Sequence, residues 1–244
     1  MKSFTQDFQR FKDKILSGEN FAYARYADGE VRMMRGLAVP HDTQAFAMDG
    51  WSCEGRLYRL GQVLLESIAH TEPDYFYAIT SPNQNYDEYR FLRDRIRVPE
   101  DNITFADLWI NGNYERFRAF LFEEIREPVV LIASEDGAKR DLHPLRFTDY
   151  LTIPPRCPDF YEEHADEIVE TLRGLAHDYR DTLFLISAGP MSEAIIHHLY
   201  GMNPRNRYID VGSAIDELVH GKKTRPYMLP GSPYHGQIVE WTLG

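Results

Sequence analysis

Phe21-Ala22-Tyr23-Ala24-Arg25-Tyr26-Ala27-Asp28-Gly29-Glu30 is the stretch from which the fold can be read. Its first six residues read as a buried strand. The chain then turns through two carboxylates separated by a glycine. The same grammar, an apolar run followed by a small-residue or acidic turn and a helix, returns along the chain. Val129–Ala133 exits through Ser134-Glu135-Asp136-Gly137, and Leu183–Ser187 exits through Ala188-Gly189-Pro190. Tyr208–Val211 leads into Gly212-Ser213. Tyr75–Thr80, Ile103–Phe105 and Tyr150–Ile153 complete the expected strands.

Helical periodicity fills the intervals. Phe4, Phe8, Phe11 and Ile15 lie on one face of an opening helix that ends near Gly18. Further helices are expected from Asp28 to about Gly36, with Asp28 as N-cap, and over 54–70, 84–97, 114–126, 159–178 and 191–200. Residues 37–53 read as loop. Apolar strands alternating with helices define an α/β fold, a mainly parallel sheet with helices on both faces. The chain reads as one domain over 1–244, with 221–244 an extension packed on it through Tyr227, Tyr234 and Trp241.

Composition narrows the function classes. The 244 residues are 43% hydrophobic and carry a formal net charge of −11. That balance argues against nonspecific nucleic-acid binding, which needs a basic footprint. Cys53 and Cys157 form no Cys-x-x-Cys pattern, so neither a zinc site nor a disulfide framework follows, and a reducing compartment, the cytoplasm, is expected. No signal-peptide core and no membrane-length apolar run is present.

In parallel sheets ligands gather at the carboxyl ends of strands, which ranks the turns. Asp28 and Glu30 offer hard oxygen ligands for Mg²⁺ or Mn²⁺, and Gly29 permits a tight turn between them. The plain alternative is an N-cap and a first-turn acid. With 38 acidic residues in the chain, roughly 1.5 Asp-x-Glu triplets arise by chance, so the motif depends on its placement. Arg25 and Arg32 flank it and suit phosphate, or they neutralise the acids. Gly189-Pro190 can aim backbone N–H groups at an anion, with Ser187 and Ser192 adding hydroxyls, or it is an ordinary strand-to-helix turn. Asp210 at a strand end can orient a ribose or a basic residue, and Asp216 stands four residues before His220 as a helix-face pair. Lys222-Lys223-Thr224-Arg225 is a basic cluster beside Tyr227, a phosphate receiver or a solvated loop.

Several of these pieces, in order, resemble the GT-D-type glycosyltransferases, the family first grouped as domain of unknown function 1792. Ala24-Arg25-Tyr26-Ala27-Asp28-Gly29-Glu30 is similar to its Arg-Phe-Gly-Asp-Gly-Glu signature, and Asn111-Gly112-Asn113-Tyr114 to its asparagine-rich motif. Ser187-Ala188-Gly189-Pro190 and Tyr208-Ile209-Asp210-Val211-Gly212-Ser213 resemble its later turns. Tyr26-Ala27 replaces Phe-Gly, Ser213 stands where the family often has His, and Thr224-Arg225-Pro226-Tyr227 lies outside the signature. The resemblance implies a Rossmann-like fold and metal-dependent hexosyl transfer from a nucleotide sugar, a UDP-sugar, to a glycan or other hydroxyl acceptor. It places Mn²⁺ or Mg²⁺ on Asp28 and Glu30. Nucleotide support falls to Arg25, Gly29, Ser187, Gly189, Pro190, Asp210 and Ser213. Strand-end position, not the resemblance, makes Glu135, Asp136 and Asp216 the candidates for the base. Two other classes are weighed against this reading. One is a catalytically silent sugar-nucleotide or glycan binder on the same scaffold. The other is a metal-dependent phosphoesterase, whose usual paired His and Asp ligands the sequence lacks.

Overall fold

A computed structural model of the chain describes residues 3–37 and 58–235. Among these, seven strands form one sheet: β1 Phe21–Tyr26, β2 Tyr75–Ile79, β3 Ile103–Phe105, β4 Val129–Ser134, β5 Phe147–Ile153, β6 Leu183–Ser187 and β7 Arg207–Asp210. Their order is β3-β2-β1-β7-β6-β4-β5, and every pairing is parallel. The expected α/β, Rossmann-like architecture is therefore the one found. Of the loop expected over 37–53, only residue 37 is described; positions 54–57 and 236–244, with Trp241, also lie outside the described residues.

The strands are legible because both faces of the sheet are covered. Phe21 and Tyr23 of β1 point to α1 (Phe4–Ser17), where Phe11 meets Tyr23 and Phe76 edge-on at 5.1 Å each. Trp109 closes the same cluster against Tyr23 and against Phe117 of α5, Tyr114–Ala119. On the opposite face Tyr26 hydrogen-bonds Ser67 of α3 (Arg59–Ser67) at 2.7 Å. There the small Ala22 and Ala24 let α7, Met191–Met202, pack directly over β1. Ser3 caps α1 by accepting from the Gln6 N–H, and Gly18 ends it in the left-handed region at φ +75°.

Several boundaries shift from the sequence reading, and two of the shifts are informative. The helix expected to reach residue 126 is α-helical only to Ala119 and continues as a π turn over Phe120–Glu124. β5 begins at Phe147, three residues before the expected start, because its first three residues are exposed at the sheet edge and carry no burial signal. At the amino end of the sheet Arg207 forms a bidentate pair with Glu127 at 2.7 and 2.8 Å and donates to the Ile15 and Asp181 carbonyls. Both Nη groups of that arginine are thus committed to structure, while its buried Nε has no partner. Among the described residues no helix is long and apolar enough to cross a membrane.

Phe11 touches four aromatic rings from three other elements. Phe11→Ala is therefore expected to cost about 3–5 kcal/mol in urea unfolding. Leu16→Ala, on the exposed face of the same helix, should stay within about 0.5 kcal/mol. Equal losses for both would contradict this placement of the core.

Candidate active site at the carboxyl edge of the sheet

Because every strand runs the same way, every strand exit opens on one edge. At the β1 exit, α2 (Asp28–Met34) starts with Ala27, not Asp28, as its N-cap. Asp28 is the first helical residue. Glu30 supplies what a capping side chain cannot give here: its Oε2 accepts from the Ala27 N–H at 2.8 Å. The two acids are thus separated in role. Asp28 is exposed, while Glu30 is 4% exposed and turned back under the turn. Burial pushes the Glu30 carboxyl from its ordinary 4.5 up to about 7, against the opposing pull of Arg25.

The β1 and β6 exits meet. A Cβ on Gly29 would lie 3.7 Å from Pro190 Cγ, so the Asp28-Gly29-Glu30 and Gly189-Pro190 turns touch although they are distant in sequence. Gly189 is left-handed at φ +55°. Ser192 is not available to an anion in the way the sequence suggests. Its Oγ accepts from the Ala188 N–H at 2.9 Å and is fully buried in the turn. Ser187 is half-buried at the strand end.

Asp210 orients a basic residue. Arg25 Nε donates to Asp210 Oδ2 at 2.9 Å, and Asp210 Oδ1 accepts from the Gly212 N–H at 2.7 Å. Among the described residues neither Nη of Arg25 has a protein acceptor. Glu193 of α7, which the sequence reading passed over, lies fully buried behind this pair and accepts from the Arg25 backbone N–H at 3.3 Å. Burial drives its carboxyl far up, and Asp210 and Glu30 add to the shift. Glu193 Oε2 has no donor facing it. A carboxyl whose burial favours the protonated form needs no donor there.

Arg25 and Asp28 line a cleft of about 390 Å³ whose opposite wall is Thr80, Gln84, Asp107 and Asn111. Those four come from the exits of β2 and β3 and from the loop beyond β3. Sequence reasoning quoted Asn111 only within a motif and missed the other three. Asp107 follows a strand of three residues, and its position at a carboxyl end was the available signal.

The remaining expected residues sit on the same edge but not among those lining this cleft. Ser213 Oγ pairs with the Tyr227 hydroxyl at 2.8 Å. Asp216, the first residue of α8 (Asp216–His220), is buried and hydrogen-bonded by Thr224, and burial raises its carboxyl. The expected Asp216–His220 pairing is replaced: His220 Nδ1 pairs with Asp136 Oδ2 at 3.0 Å. Glu135, Lys222 and Lys223 are exposed.

Among the described residues no cluster of three or more His, Cys, Asp or Glu side chains is arranged to hold a metal. Asp28 and Glu30 nevertheless fit the smaller requirement of Mg²⁺ or Mn²⁺, which take one or two carboxylates and complete their shell with phosphate and water. Asp28 lines the cleft, whereas Glu30 is buried outside that lining with its Oε2 on the Ala27 N–H, so Asp28 is the carboxylate presented to an ion there.

No family profile and no curated protein matches the sequence. Solved structures do match in fold. One, from Streptococcus sanguinis and described as a new glycosyltransferase of the domain of unknown function 1792, superposes with a TM-score of 0.60. That alignment has 15% identity and covers 96% of this chain and 92% of the other. A second, described as the domain of unknown function 1792 with a distinct glycosyltransferase fold, gives 0.55 at 16% identity over 98% and 90% of the two chains. This chain has that glycosyltransferase fold.

The Glu30 carboxyl gives a pH test. Between pH 4.5 and about 7 the folded chain keeps a proton that the unfolded chain releases. Its contribution is present below that window and is lost as pH rises through it. Glu30→Gln removes this loss. It should therefore gain on wild type, by on the order of 3 kcal/mol, when urea unfolding is compared at pH 5 and pH 8. Parallel pH profiles would show that Glu30 is not held this way.

Proposed function

We propose that this protein is a metal-dependent glycosyltransferase that moves a hexosyl group from a UDP-sugar to a hydroxyl of a glycan or related acceptor. The observation that carries the reading is the convergence of Arg25 and Asp28 on one cleft at the carboxyl edge of a glycosyltransferase-type sheet. Arg25 is fixed at Nε by Asp210, which leaves its Nη groups for an anionic ligand such as a diphosphate. Asp28 and Glu30 would hold Mn²⁺ or Mg²⁺, which supplies charge neutralisation for the departing diphosphate. Gly29 and the adjoining Gly189-Pro190 turn keep the backbone close enough to support the nucleotide, with Ser187 and Ser213 on the same edge. Asp216, at the start of α8, is the carboxylate we assign as base toward the acceptor hydroxyl, since burial raises its affinity for a proton.

The test uses Asp28→Asn and Glu30→Gln, which keep shape and remove charge. Each should lower Mn²⁺-dependent UDP release by about a hundredfold or more. Asp28→Asn should shift stability by no more than about 1 kcal/mol, since an exposed first-turn acid contributes only its dipole interaction. UDP release and melting temperature are read on the same preparations. Turnover equal to wild type in Asp28→Asn would reject the reading. Tight UDP-sugar binding with no release by the wild type, across a panel of acceptors, would instead favour a silent binder.

A further inference from the structure

Two imidazoles from distant segments meet where β2 begins, at the opposite end of that strand from the cleft. His70, in the connection from α3 to β2, brings its Nε2 within 2.9 Å of Nδ1 of His197 on α7. Its other nitrogen, Nδ1, lies 3.2 Å from Glu72 Oε2. An ionised carboxylate only accepts, so His70 donates through Nδ1 and turns its Nε2 lone pair toward His197. The ring has little freedom to turn away. It stacks on Tyr75 with centroids 4.2 Å apart and meets Tyr200 edge-on at 5.4 Å. The Tyr77 hydroxyl holds the His70 carbonyl at 2.9 Å. Burial, with His198 and His70 beside it, lowers the His197 ring from its ordinary 6.5 to about 4, so it is neutral at pH 7. Both histidines are only half-buried, so water reaches them.

We propose that His70 and His197 form a binding site for Zn²⁺ or a similar nitrogen-seeking transition-metal ion, separate from the cleft and independent of the sugar-transfer reading. The ion replaces the hydrogen bond between the rings. His70 Nε2 and His197 Nδ1 become its ligands, His197 carries its proton on Nε2 instead, and water completes a four-coordinate shell. Ligands around a tetrahedral zinc ion stand roughly 3.3 Å apart, so the rings need part by only a few tenths of an ångström. Glu72 occupies the place of the carboxylate that fixes the tautomer and orientation of a metal-bound histidine and strengthens it as a ligand. Imidazole suits Zn²⁺ and Cu²⁺, whereas Mg²⁺ and Mn²⁺ prefer oxygen, so the two ends of β2 differ in the ion they attract. With two protein ligands instead of the usual three or four, the affinity is micromolar. The bound ion fastens the connection entering β2 to α7.

Calorimetric titration of the full chain with ZnCl₂ near neutral pH tests this. Excess Mg²⁺ is present throughout to fill oxygen sites such as the one at Asp28. Wild type should take up one equivalent of Zn²⁺ with a Kd of about 1–100 µM. His70→Gln and His197→Gln should each weaken that uptake about thirtyfold or more. Glu72→Gln, at a half-exposed position, should weaken it about tenfold without moving the metal-free melting temperature. Zn²⁺ should raise the melting temperature of wild type and leave that of the histidine variants unmoved. Cu²⁺ bound at one equivalent to wild type should show electron paramagnetic coupling to two imidazole nitrogens. Absence of uptake by wild type overturns the site and leaves the two rings a hydrogen-bonded pair only. Uptake unchanged in both histidine variants overturns it as well, since another group then holds the ion. If a histidine variant fails to fold, unchanged affinity in Glu72→Gln or a copper spectrum without nitrogen coupling is enough to reject it.

Discussion

The Arg25–Asp210 pair is the constraint around which the carboxyl edge is arranged. It ties the ends of the adjacent strands β1 and β7, and its surroundings admit little else. Gly212, at φ +47°, passes so close that a Cβ would lie 2.6 Å from Arg25 Nη2. Glu193 fills the space behind, bonded to the Arg25 backbone. Three carboxyls, Asp210, Glu193 and Glu30, thus surround one guanidinium in a largely desolvated volume. One cation stands among three buried carboxyls, and burial together with Asp210 and Glu30 drives the Glu193 carboxyl far up. Arg207, at the opposite end of β7, shows the contrasting case. Its paired Nη groups are consumed by Glu127 and carbonyls, and it does nothing but hold elements together. The two arginines differ in what their guanidinium groups have left to offer.

The sheet was legible because burial on both faces writes strands as continuous apolar runs. Leu183–Ser187 matches its observed span, and Val129–Ala133 stops one residue short. Legibility failed where burial failed: Phe147, Thr148 and Asp149 are exposed on an edge strand, and nothing in their character separates them from a loop. The site was legible as a motif but not as a division of roles. Sequence places Asp28 and Glu30 two residues apart, yet one faces solvent and the other folds back to the Ala27 N–H. A choice of side-chain direction within one helical turn carries no periodic signal. Glu193 had a signal that went unread, a single acid in the otherwise apolar run Ala194-Ile195-Ile196 that follows it. Asp107 and Gln84 depend on two strands and a loop meeting, which only topology reveals.

The three strand exits singled out by chemistry do not behave alike, and the difference locates the site. The β1 and β6 exits touch through Gly29 and Pro190 and border the Arg25–Asp210 network. The β4 exit is closed. Tyr150 donates its hydroxyl to the Ser134 carbonyl at 2.6 Å and lies against Gly137, where a larger residue has no room. Asp136 is tied to His220 of α8, and Val219 of the same helix packs over the turn. Acidic residues at a strand end were thus insufficient to make a cleft. What keeps the edge open on the β1 side is that the chain leaving β2 and β3 supplies polar side chains already bonded to one another. Gln84 and Asn111 converge on Asp107 and so stand back from Arg25. Those amide bonds fix the Asp107 carboxylate in the cleft lining, as Asp210 fixes Arg25 through Nε.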